Sequence, residues 1–75
     1  MNVERIRKLC EGFINKEFGL EEFQSRLETL VFPEGCEAKK NEVLNELEEI
    51  RFTKLEPNFY KHGLKVAHQL LNFFQ

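Results

Sequence analysis

The chain has 75 residues, of which 41% are hydrophobic, so it holds one domain with one small core. A core in a chain this short leaves only ~3–5 kcal/mol of margin, which excludes a multi-domain machine and argues against a deep cofactor cavity. With a net charge of −2, nonspecific binding to DNA or RNA is disfavoured, because that binding uses Lys and Arg to displace counterions from phosphates.

Val3, Ile6, Leu9, Cys10, Phe13 and Ile14 recur at helical spacing and predict a first helix over Val3–Asn15. Gly12 weakens it slightly. Next comes Phe18-Gly19-Leu20-Glu21-Glu22-Phe23, which reads as a helix start. With Gly19 as N-cap, two glutamates fall in the first turn, where the helix dipole favours negative charge. Phe18 and Phe23 then take the two positions of a hydrophobic staple. Leu20, Phe23, Leu27, Leu30 and Val31 continue the stripe, and Pro33 ends it by disfavouring helical geometry in Phe32. Pro33-Glu34-Gly35 marks a turn. A third helix is expected over Glu37–Arg51, with Val43, Leu44, Leu47 and Ile50 inward. Thr53-Lys54-Leu55-Glu56 has capping-box spacing. Pro57 suits the first position of a last helix. That helix is apolar over a broad arc, from Phe59 and Tyr60 to Phe73 and Phe74, and should lie at the centre of the packing or under a partner. All thirteen acidic residues are Glu, which keeps its rotamer freedom in a helix. No strand-like alternation, internal repeat or low-complexity tract persists. The expected fold is all-α: a single domain over residues 1–75, built as a compact antiparallel bundle of four short helices, the second the shortest.

The same pass bounds compartment and chemistry. No apolar run approaches the ~18 residues of a membrane span. The first residues are charged and lack the apolar stretch of a signal peptide. Cys10 and Cys36 are distant in sequence and make no disulfide framework. The expectation is a cytoplasmic protein with reduced thiols, no membrane partner and no cofactor. His62 and His68 stand six apart, about 600° of rotation, whereas metal-binding pairs on a helix sit at i, i+4. Neither cysteine has an activating base nearby, and no glycine-rich phosphate loop exists, so no metal, catalytic or enzymatic assignment follows.

Charge is uneven along the chain. Residues 17–49 carry ten Glu against Arg26, Lys39 and Lys40, while residues 50–75 carry four basic side chains against Glu56. On the third helix Glu42, Glu46 and Glu49 fall at i, i+4 and i+7, forming one ridge that faces away from Val43 and Leu47. Such a ridge can be a solvated face that keeps the protein soluble. It can also be a docking face for a basic partner, whose opposite potential speeds association. Gly63 and Ala67, four apart on the last helix, permit close helix approach, either inside the bundle or as a self-association seam continued by Leu70 and Phe74. Phe73 and Phe74 are either tucked under the bundle or exposed as an interface patch.

The stretch from Phe13 to Leu27, with Glu21-Glu22-Phe23 opening its second helix, resembles a pattern in small helical bacterial immunity proteins of the colicin D immunity type. In these a first helix ends in a short polar turn and an acidic helix follows. The resemblance implies a non-enzymatic inhibitor that binds a basic nuclease toxin domain. Carboxylates on helices two and three would then stand in for substrate phosphates, with Glu42, Glu46 and Glu49 foremost and Glu21, Glu22 and Glu28 behind them. Tyr60 is the expected aromatic anchor, since interface energy concentrates in a few buried aromatics. The alternative reading is a small regulatory module that forms a homodimer through its last helix.

Overall fold

The computed structural model describes residues 3–74. It is all-α: α1 spans Val3–Ile14, α2 Leu20–Thr29, α3 Glu37–Thr53 and α4 Phe59–Phe73, with a single 3-10 turn over Glu56–Asn58 before the last.

Each apolar stripe buries one face. Ile6, Leu9, Cys10 and Phe13 of α1 meet Leu20, Phe23 and Leu27 of α2, Val43 and Leu47 of α3, and Val66, Ala67 and Leu70 of α4. Burying each large side chain contributes about 1.5–3 kcal/mol before chain entropy is subtracted. Phe13 stacks on Phe23 with ring centroids 4.7 Å apart and forms the middle of the core. As expected from its broad apolar arc, α4 packs against all three other helices, most extensively against α1. The ends of that pair are tied together. Arg7 donates to the Phe74 carbonyl at 2.8 Å, and the Tyr60 hydroxyl donates to the carbonyl of Ile14.

Helix ends follow local chemistry, though not always the chemistry expected. After α1 the Glu17 N–H reaches the Gly12 carbonyl at 2.9 Å and the Lys16 N–H reaches that of Phe13 at 3.0 Å. This is a Schellman closure, and its left-handed residue is Lys16, at φ 63°. A glycine would take that conformation without cost, so the sequence carries no cue for the motif there. Gly19 caps α2 in extended geometry as expected, and the Phe23 N–H bonds its carbonyl at 3.0 Å. Gly35, at φ 87°, completes the Pro33–Cys36 turn, in which the Cys36 N–H bonds the Pro33 carbonyl at 3.0 Å. A positive φ at the third position is the reason glycine stands there.

Three expectations fail locally. The second stripe does not continue through Val31, because α2 stops at Thr29. Lys40 donates from α3 to the carbonyls of Glu28 at 3.0 Å and of the capping residue Leu30 at 2.8 Å, which ties the end of α2 to α3. Beyond that point the chain is extended and its side chains alternate. Val31 is 67% exposed, while Phe32, 4% exposed, turns into the core and meets Phe74 edge-on at 5.6 Å. Thr53 opens no capping box either. It is the last residue of α3, and its hydroxyl donates back to the Glu49 carbonyl at 2.7 Å. Pro57 falls in the 3-10 turn, ahead of α4 rather than inside it.

Candidate partner-binding face

Exposed carboxylates and exposed apolar side chains are the functional possibilities on this surface. Glu42 and Glu49 are exposed on α3 and Glu46 is half-buried beside them. Their helical spacing places them on one flank of α3, beside the face that buries Val43 and Leu47, with Glu46 nearest to it. The protein's own cations engage part of the acidic set. Lys39 lies 3.4 Å from Glu42, Arg51 lies 3.2 Å from Glu21, and Arg26 pairs with Glu22. Lys39 is half-buried, but each pair has at least one exposed partner and is individually weak, about 0–1 kcal/mol. Among the described residues, Glu28, Glu46 and Glu49 have no ion-pair partner. Arg51 also donates to the buried Gln24 side-chain oxygen at 2.9 Å, so the Arg51–Glu21 contact joins α2 to α3 as part of the fold.

Tyr60 is half-buried, and its hydroxyl and ring are engaged by the fold. Its hydroxyl bonds Ile14, its ring lies 5.4 Å from that of Phe13, and the Lys16 ammonium sits 4.8 Å from its centroid. It lines an apolar cleft of about 420 Å³ together with Phe18, Leu20 and Phe59, rimmed by Lys16, Glu21 and Glu56. A second cleft of about 370 Å³ lies between α1 and α2, with Arg5, Lys8 and Arg26 around Leu9 and Phe18. Neither cleft is lined by a histidine or a cysteine.

The titratable side chains sort by environment. Cys10 is fully buried, and burial, reinforced by the nearby Glu11 charge, pushes its thiol up to about 12. Cys36 is half-buried, and both thiols are free. Desolvation, followed by the positive charges of Lys54, Lys65 and Lys61, lowers the His62 pKa below its ordinary value. Among the described residues no group of three or more His, Cys or Glu side chains is placed to hold a metal ion. No helix among them is long and apolar enough to cross a membrane.

The seam expected on α4 is already filled. Gly63 and Ala67 are buried within the bundle. A Cβ on Gly63 would stand 2.5 Å from the Phe13 ring and 2.7 Å from Leu20, so α1 and α2 occupy the space that a second copy would need. Leu70 is fully buried and Phe74 half-buried, while Phe73 remains 49% exposed.

Sequence reasoning passed over Phe52 and Leu55, which are 82% and 74% exposed. The signal was present in the spacing. At about 100° per residue, Phe52 points roughly 180° from Val43 and 140° from Leu47, away from the core. Set against known proteins, the chain matches no family model, no curated protein and no solved structure.

Proposed function

We propose that this protein is a non-enzymatic inhibitor of the immunity type, which binds a basic, nuclease-like toxin domain through the acidic side of α3. The observation that supports this reading is the state of the α3 ridge: Glu46 and Glu49 have no cationic neighbour at ion-pair distance among the described residues, while the exposed Glu42 is paired with the half-buried Lys39. Carboxylates left without partners keep their potential available to a cationic surface, steering its approach and selecting it. Glu28 adds a carboxylate on α2 that is unpaired among the described residues. Glu21 and Glu22, engaged with Arg51 and Arg26, have a secondary role, and Tyr60 shapes the bundle rather than reaching outward.

A gene for a toxin with a basic domain is expected beside this chain's gene, and that domain is the partner to titrate. Titration calorimetry should give a tight complex, and stopped-flow mixing an association rate that falls as salt rises. Reversing Glu42, Glu46 and Glu49 to Lys together should abolish binding and leave the helical circular-dichroism signal intact. Unchanged affinity in the triple variant rejects the acidic-face reading.

A further inference from the structure

The cleft between α1 and α2 joins an apolar lining to a basic rim. The buried Leu9 forms its floor, and the half-buried Phe18 and Leu30 form its sides. Three cations border it, Arg5 and Lys8 from α1 and Arg26 from α2, against one carboxylate, Glu17. Arg26 is already engaged. It pairs with Glu22, and its guanidinium lies 4.8 Å from the centre of the Phe18 ring. Arg5 and Lys8 are exposed and stand three apart, on one side of α1. Glu4 and Glu11 flank them in sequence and Glu17 lines the same cleft, yet none of the three comes within ion-pair distance of either. Arg7, which lies between them in sequence, is instead held by the fold through the Phe74 carbonyl. Two like charges one turn apart repel each other, and no carboxylate among the described residues is close enough to offset them. The cleft beside Tyr60 differs. Its rim mixes Lys16 with Glu56 and with a Glu21 that Arg51 engages, so it favours neither sign of charge.

We infer that this cleft binds a small amphipathic anion, a single molecule with a carboxylate head on an apolar body. The body lies over Leu9, between Phe18 and Leu30, and the head is held by Arg5 and Lys8. Removing the apolar body from water supplies most of the affinity. Charge-assisted hydrogen bonds to the two cations fix its orientation and select the sign of its head. A cationic molecule of the same shape meets repulsion at that end of the cleft. The volume, about 370 Å³, stands at the small end of ligand sites, which run from about 300 to 1,000 Å³. A concavity of that size admits one short chain and not the flat face of a bilayer. Its lining comes from α1, α2 and the segments beside them, with no residue of α3, so the site shares nothing with the glutamate ridge.

Decanoate, kept below its micelle concentration, is the probe, and decyltrimethylammonium, with the same tail and a positive head, is its control. NMR titration of the isotopically labelled chain should give saturable decanoate shifts centred on Leu9, Phe18 and Leu30, with a Kd on the order of a millimolar. Decyltrimethylammonium should bind about tenfold more weakly or not at all. Replacing Arg5 and Lys8 together by Gln alters only exposed side chains and should keep the helical circular-dichroism signal. It should raise the decanoate Kd about tenfold and abolish the preference for the anion. Arg5→Lys combined with Lys8→Arg preserves both charges and should bind as the parent does. Several results overturn the inference: no saturable shift below the micelle concentration, shifts centred on Phe59 and Tyr60 instead, equal affinity for the cationic control, or an unchanged Kd in the double glutamine variant. Any of these leaves the toxin-binding reading standing, since that depends on the carboxylates of α2 and α3.

Discussion

Replacing Gly63 by alanine should destabilise the protein, although alanine is the better helix former. The added Cβ would lie 2.5 Å from Phe13 Cζ and 2.7 Å from Leu20 Cδ1, well inside the ~3.5–4.0 Å of ordinary carbon contact. Neither neighbour has room to retreat. Leu20 is buried, and Phe13 is buried between the ring of Phe23 at 4.7 Å and that of Tyr60 at 5.4 Å. Overpacking of a core costs about 1–3 kcal/mol, and two immobile contacts place this site in the upper half of that range. Improved helix propensity returns about 1 kcal/mol. The net loss is therefore about 1–2 kcal/mol, a large share of the ~3–5 kcal/mol available to a domain of this size. Each kcal/mol lowers the melting midpoint by roughly 4–8 °C. Gly12→Ala is the control. Its Cβ would meet the Phe18 ring at 2.8 and 3.0 Å, but that ring is half-buried under the Arg26 guanidinium and can swing outward. Gly12→Ala should be neutral or slightly stabilising. Urea unfolding followed by circular dichroism reads both variants. A Gly63→Ala protein as stable as the parent, or two variants that lose equal stability, would refute the packing argument.

Two further outcomes follow from the same interior. Tyr60→Phe removes the hydroxyl that donates to Ile14 at the end of α1 and should cost about 1 kcal/mol in urea unfolding; an unchanged midpoint would show that water replaces the bond freely. The thiols should separate kinetically, with Cys36 reacting with a thiol reagent in the native state and Cys10 reacting only on unfolding. The Cys10 value, raised from 9.0 to about 12, also fixes a pH window. Below the unfolded value both states hold the proton. Between about 9 and 12 the unfolded chain has lost it while the folded chain keeps it, so stability falls as pH rises through that window. Substituting Cys10 by alanine should remove that part of the alkaline loss, and an identical slope in the variant would assign it to other groups.

Four helices were legible because periodicity is a local property of the chain. The Gly19 cap and the Pro33–Gly35 turn were legible for the same reason: each depends on residues within a few positions. What escaped depends on distant partners. Nothing within α2 shows that Lys40, from the next helix, will bond the carbonyls of Glu28 and Leu30 at its end, where Val31 faces solvent and Phe32 turns inward. Thr53 had two hydrogen-bonding options of similar local cost, and the continuing helix settled it on Glu49. Lys16 in the left-handed region is dictated by the closure of α1, against its own preference. On the surface, the glutamate ridge was visible as spacing, but the pairing of Glu42 with Lys39, and of Glu21 and Glu22 on α2 with Arg51 and Arg26, needed side-chain positions. Tyr60 and Phe52 are both aromatics near a helix end. Only the packing shows that the first is committed to the fold and the second is free to meet another molecule.

The close pairing of α1 with α4 has a consequence for biosynthesis. A ribosome delivers the amino-terminal helix first, and α4, its most extensive neighbour, is made after the other three. Until then Ile6, Leu9 and Phe13 lack much of the cover they have in the finished protein. Translation that stalls before α4 therefore leaves a nascent chain with its greasy side open to chaperones and proteases, and the domain matures only after synthesis has passed its final helix.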